Sequence, residues 1–386
     1  MPVAPVDASG TVLYYEDSGP LEGNYTTLVI VHGTAFHGAF FRRMIPYAAP
    51  NNLRLVLLNR RDYPGSTPLT DTELSALKSI CDPTSPTYNA IKSLEAQSDF
   101  LKARGFEVAE FMAWFAKTEN IPKVVKNEDG GKEGGVALVA WSSANGTALG
   151  LFAHLKGLRR EVREGLEPYL RTYVYYDGPR WVIGFPHDDR FDRPLVDPNT
   201  TRDERWEQFK VWIGSYYSHN PAAFVTHDLS LLSGTPITNP PPEKIATLER
   251  LSPQEIESVR SRYAQFHSEE VVRIFGDEIY RAHFREGMFG RGEGIGFTKN
   301  HIAEKNENSV VWPNVGIRVL QCQDSLWEIV SAIWVIEELY GEPENVRKRE
   351  RGEAGRKIEF TLMEGANHCA HWDQPGRLTK LFAKVV

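Results

Sequence analysis

Residues 136–151, VALVAWSSANGTALGL, run from an apolar segment rich in β-branched residues through two serines into small, helix-tolerant residues. A serine on the tight turn between a strand and a helix can present its hydroxyl as a nucleophile. Such a turn needs small side chains two positions before and two after, because neighbouring backbone crowds it. Ser142 has Ala140 and Ala144 at those positions, whereas Ser143 has Trp141 and Asn145, which are too bulky. Ser142 is therefore the candidate, on an A-x-S-x-A variant of the G-x-S-x-G pattern. A plain helix N-cap is the competing role, since serine fills it readily, so the choice depends on what the rest of the chain brings to the turn.

Two other stretches supply partners. His32-Gly33-Thr34-Ala35-Phe36 closes an apolar run with a small-residue turn, from which the N–H of Thr34 or Ala35 could join that of Ser143 in an oxyanion hole. GANHCAHWDQP (365–375) follows the last apolar run and places His368 late in the chain, as a base that would take the Ser142 proton. His371 lies three residues further on and competes for that role, and His32 is read as steadying the oxyanion turn. The acid has two candidates: Asp177, at the end of RTYVYYD, and Asp324, in LQCQDSLW. Asp177 is preferred because a strand end holds a carboxylate rigidly, although Asp there also serves as a turn former. Phe36, Trp141, Trp181, Trp212 and Tyr216 are expected to line an apolar pocket. No phosphate-cradling loop, dinucleotide fingerprint or histidine cluster with metal spacing occurs, so neither cofactor nor metal is expected.

These residues need a scaffold that brings strand ends together. Apolar runs at 11–17, 27–33, 53–66, 136–141, 171–177, 317–323 and 357–363 read as strands, alternating with helical patterns such as 89–116, the stripe after 326 and the C-terminal stripe. Gly341 and Pro343 end the helix after 326. That alternation predicts an α/β sheet with helices on both faces. Residues 178–310 break the rhythm with helices only, opened by capping boxes at Thr201–Glu204 and Ser252–Glu255. An insertion there would lie over the carboxyl edge of the sheet, where open α/β sheets bind ligands. The polar stretches 123–135 and 346–357 read as surface loops.

The motifs VHGTAFHGAFF, NRRDYPGST, LVAWSSANGTAL, YYDGP and GANHCAHWDQP, in that order, resemble the α/β-hydrolase superfamily. The likeness is nearest to its cap-bearing esterase, lactonase and C–C hydrolase branch and extends to fungal members. It covers 11–178 and 311–386 well, while the intervening segment shares only its position. The resemblance implies a mostly parallel eight-stranded sheet with a core of 1–178 and 311–386 and a helical cap of 179–310 after the sixth strand. It also implies a triad of Ser142, His368 and an acid placed after the sixth strand or, more often, the seventh. The expected reaction is hydrolysis of an ester or lactone of a fairly apolar small molecule through an acyl-enzyme. Alternatives are a C–C bond hydrolase or lyase on the same triad, or a non-catalytic ligand-binding protein. Epoxide hydrolases and dehalogenases of the superfamily carry Asp at the elbow, which Ser142 argues against.

The totals are those of an ordinary soluble globular protein. The 386 residues are 41% hydrophobic and 25% charged, and the net charge of -7 disfavours nucleic acid and anionic lipid as partners. Three scattered cysteines give no disulfide framework. Neither a signal segment nor a membrane-length apolar run is evident, so a cytoplasmic protein, with a homodimer left open, is the expectation.

Overall fold

The computed structural model describes residues 2–127, 131–188, 194, 199–296, 310–352 and 355–386. Its main sheet has eight strands: β1 Val3–Pro5, β2 Val12–Asp17, β3 Thr26–Val31, β4 Leu53–Leu58, β5 Val136–Trp141, β6 Leu170–Tyr176, β7 Gly316–Cys322 and β8 Ile358–Met363. Their order is β1-β2-β4-β3-β5-β6-β7-β8. Pairings of β2 with β1 and β4 are antiparallel, and those from β4 to β8 are parallel. Parallel strands covered by helices on both faces read as near-continuous apolar runs, and a buried polar exception such as Arg54 is paired, here with Asp17 and Glu119. Accordingly TTLVIV in β3, LRLVLL in β4 and VALVAW in β5 are buried at every position. The eighth strand, β1, escaped the sequence reading because three residues, VAP, are too short for a period to register.

The principal helices are α1 Asp71–Cys81, α2 Ala90–Thr118, α3 Ala144–Ala153, α4 Arg202–Gly214, α5 Ser268–Val272, α6 Asp277–Phe289, α7 Trp327–Gly341 and α8 Pro375–Val385. Every residue of α3 is buried, because it lies under α2 and α6. A Cβ on Gly150 of α3 would come within 2.6 Å of the Leu101 carbonyl oxygen, and one on Gly105 of α2 within 2.5 Å of the Leu151 nitrogen. The two glycines therefore let these helices touch backbone to backbone.

Two stretches read as loops differ. Within 123–135, Val125–Lys126 pairs with Lys132–Glu133 as a small hairpin. The basic stretch at 346–357 opens inside a helix, Pro343–Glu350, with no buried residue. Proline in its first turn and Arg347, Lys348 and Arg349 in its last suit a helix start and the negative end of the dipole.

Among the described residues, the segment between β6 and β7 contributes no strand to the sheet. It carries both expected capping boxes, at Thr201–Glu204 and Ser252–Glu255. Trp206, Phe209 and Ile213 of α4 and Phe284 and Met288 of α6 belong to the same buried apolar cluster as β3 to β7. The insertion thus packs directly onto the sheet's own core. No helix among the described residues is long and apolar enough to cross a membrane.

Candidate active site

β5 ends at Trp141, and the next residue turns sharply. Ser142 has φ 57°, the left-handed region that side chains rarely occupy, whereas Ser143, at φ -62°, starts α3. The turn is pinned by the Ser142 N–H donating to the Tyr176 carbonyl of β6 (3.0 Å) and the Asn145 side-chain amide donating to the Ser142 carbonyl (2.8 Å). Ala140 and Ala144 are fully buried against this bend. Gly33 presses on it from the loop after β3: a Cβ there would stand 2.7 Å from the Ser142 Cβ. Only glycine allows that approach.

On the adjacent strand, β6 runs out at Tyr176 and Asp177 takes φ 51°. Its carboxylate accepts from the Cys322 N–H (2.8 Å), the Ser325 hydroxyl (2.8 Å) and His368 Nδ1 (2.8 Å). The other ring nitrogen, Nε2, is buried with no hydrogen-bond partner among the described residues. The Trp141 indole stacks on the His368 ring with centroids 4.7 Å apart and donates from Nε1 to the His368 carbonyl (3.0 Å). Asp324 is placed elsewhere, its carboxylate accepting from Lys244 Nζ at 2.8 Å. His371 is also unavailable: it is buried between Phe41 and Trp141, its Nδ1 is 3.3 Å from the Tyr176 hydroxyl, and burial pushes its pKa well below the ordinary value.

The loop after β3 is held from below and from above. His32 is buried and burial keeps it neutral, with the Arg60 charge adding to that effect. Its Nε2 accepts from the Arg60 N–H (3.1 Å), so Nδ1 carries the proton and donates to the Gly33 carbonyl (2.9 Å). Ala35 takes φ 68°, and its N–H donates to the Tyr63 hydroxyl at 3.2 Å. The Thr34 hydroxyl lies 2.9 Å from that of Ser143 and donates to Glu269 at 3.0 Å. Glu269, from α5, also accepts from Tyr63 (2.8 Å) and Arg60 (2.6 Å). Burial alone would raise its pKa, but Arg60 beside it, with Tyr63 and Arg273, holds it below the usual carboxylate range.

No family model matches the chain, and no curated protein sequence does. Among solved structures, the esterase EaEST from Exiguobacterium antarcticum aligns at TM-score 0.48 and 12% identity over 98% of this chain and 96% of that one. A lipase-esterase related protein from Clostridium acetobutylicum aligns at 0.46 and 13% over 97% and 99%, and a bromoperoxidase from Bacillus anthracis at 0.43 and 11% over 99% of each. Likeness at these levels carries nothing about chemistry. The strand order, with β2 antiparallel to both its neighbours and a serine turn between β5 and α3, is decisive. The chain has the α/β-hydrolase fold.

In this α/β-hydrolase fold a cavity of about 140 Å³ lies over the carboxyl ends of the strands. Its walls include Ser142, Ser143, Thr34 and His368. Of the aromatics expected there, Phe36, Trp141, Trp181 and Trp212 line it. Tyr216 is not a wall: it is buried with its hydroxyl donating to Asp373 at 2.7 Å, because Asp373 needs donors inside the packed interface. Sequence reading missed Glu269 and Arg273, which also line the cavity, and the supporting Arg60, Tyr63 and Ser325. Nothing in NRRDYPGST itself assigns a role to Arg60 or Tyr63. Nothing in HSEEVV marks Glu269 over Glu270.

Proposed function

We propose that the protein is a serine hydrolase cleaving an ester or lactone of a small, largely apolar molecule, with 179–310 as the cap over its site. One observation carries this reading: the strained Ser142 elbow and His368, backed by Asp177 at 2.8 Å, wall a single cavity. His368 Nε2 takes the Ser142 proton as Oγ attacks the substrate carbonyl, and Asp177 orients the ring and stabilises its charged form. No hydrogen bond joins Ser142 to His368 Nε2 in this state; such bonds commonly tighten only when substrate is bound. The developing oxyanion is held by the N–H of Ser143, which opens α3 and has no carbonyl within the helix to bond, and by that of Thr34. The Ala35 N–H is already engaged by Tyr63. Water then releases the acyl group, with His368 again as base. Phe36, Trp141, Trp181 and Trp212 supply the apolar walls that seat the substrate.

Treatment with a fluorophosphonate probe, followed by peptide mapping, tests the assignment. Labelling at Ser142, abolished in Ser142→Ala, is expected, together with a loss of about 10³-fold or more in kcat/KM on whichever of a panel of aryl, acyl and lactone esters is turned over. Full activity in Ser142→Ala would refute the assignment, and absent labelling would favour a ligand-binding protein.

A further inference from the structure

Glu269 sits in the insertion, yet its carboxylate accepts from three residues at the floor of the site. Its Oε2 accepts from the Thr34 hydroxyl at 3.0 Å, and its Oε1 accepts from Tyr63 at 2.8 Å and from Arg60 at 2.6 Å. Each partner holds one residue of the loop after β3. Arg60 donates to the Gly33 carbonyl (3.0 Å), Thr34 is bound directly, and the Tyr63 hydroxyl accepts from the Ala35 N–H (3.2 Å). The same loop meets the insertion through its backbone: the Ser261 N–H donates to the Ala35 carbonyl (2.8 Å), the His37 N–H donates to the Val259 carbonyl (3.0 Å), and Phe36 bridges to Arg260.

That much attachment has a reason in the loop's own preference. Ala35 is buried in the left-handed region at φ 68°, a conformation that a residue with a Cβ keeps only when its surroundings over-determine it. An oxyanion donor, in turn, is worth most when it is fixed before charge develops, so that nothing reorganises during the reaction. The Thr34 N–H lies between the Gly33 carbonyl and the Ala35 N–H, both of which are tied back to the Glu269 carboxylate.

We infer that Glu269 is a positioning residue: a carboxylate delivered by the cap that locks the oxyanion loop Gly33–Ala35 in its strained, donor-forward conformation. The inference rests on the hydrolase reading above, and it makes the readiness of the oxyanion hole depend on how the cap is seated. Glu269 touches no reacting atom in this role. Its removal therefore affects transition-state stabilisation more than substrate binding.

The test compares wild type with Glu269→Gln and the isosteric Tyr63→Phe. Three measurements are made: kcat and KM on an ester that the wild type hydrolyses, affinity for a trifluoromethyl ketone that forms a tetrahedral adduct, and hydrogen exchange of peptides covering 32–37. For Glu269→Gln, kcat should fall by about 10- to 100-fold with KM within about threefold, and ketone affinity should fall in parallel with kcat/KM. Tyr63→Phe should move the same way to a smaller extent, and exchange at 32–37 should quicken in both. A buried ion pair that merely stabilised the fold would lower the melting temperature without splitting kcat from KM. Wild-type kcat and ketone affinity in both folded variants would overturn the inference. If the wild type neither hydrolyses esters nor takes the fluorophosphonate, it is the hydrolase reading that fails. Exchange at 32–37, which needs no turnover, then decides the latch alone: unchanged protection sinks it.

Discussion

Ser142 and Asp177 end neighbouring parallel strands, and both hold left-handed backbone, at φ 57° and 51°. Such conformations cost on the order of 1–3 kcal/mol each and persist where the surroundings enforce them. Here the enforcing bonds also aim the side chains, one hydroxyl upward into the cavity wall and one carboxylate across to His368. Asp177→Asn keeps the shape but places an amide opposite His368 Nδ1, which favours the wrong ring tautomer. A fall in kcat of about 10³- to 10⁴-fold is expected with the melting temperature little changed, as read by steady-state kinetics beside a thermal scan. The sharp turn at Ser142 is legible because its requirement is steric and local, two alanines at fixed spacing. The place of Asp177 at a strand end is visible in sequence, whereas the pairing of Asp324 with Lys244 is announced by no local pattern. Glu269 was invisible for the same cause carried further: its partners lie 235, 209 and 206 residues away.

The elements position these residues through close contact as much as through direction. α3 carries the first turn after Ser142, and α2 crosses it where Gly105 and Gly150 bring the backbones together. Gly150→Ala would gain about 1 kcal/mol in helix propensity. The added Cβ, however, meets a carbonyl oxygen at 2.6 Å, and backbone cannot step aside as a side-chain tip does. Net destabilisation on the order of 2 kcal/mol is expected, read as a lower denaturation midpoint in urea. Long buried strands and the α2 periodicity could be read directly, because one repeated contact stamps each of them. β1 could not, and α1 passed unremarked despite a complete capping box at Thr70 and Glu73, since its buried residues are only Leu74, Leu77 and Cys81. The helix Pro343–Glu350 misled for the opposite reason: with no buried face, only its end signals distinguish it from a solvated loop.

At the level of the whole molecule, burial of histidine makes the fold acid-sensitive. Burial lowers the pKa of six of the eleven histidines: His32, His37, His154, His219, His283 and His371. His154 and His283 sit 3.4 Å apart beside Ser98, and burial pulls their pKa values down to about 4 and about 3. For His154 and His283 the unfolded chain binds protons near pH 6.5 and the folded one only near 4 and below, so stability drops as the pH falls through that window. His267 opposes them: burial would lower its pKa, but Asp62 and Asp71 raise it, and its contribution is lost as pH rises. A melting temperature that declines from pH 7 to pH 4.5, and declines less when His154 and His283 are both replaced by Gln, is the expected result. The continuous cluster that joins β3 to β7 with Trp206, Phe209, Ile213, Phe284 and Met288 has a further consequence for engineering. A chimera that grafts a foreign segment between β6 and β7 would leave the tops of those strands bare, so specificity here has to be altered by point changes, with the segment itself left in place.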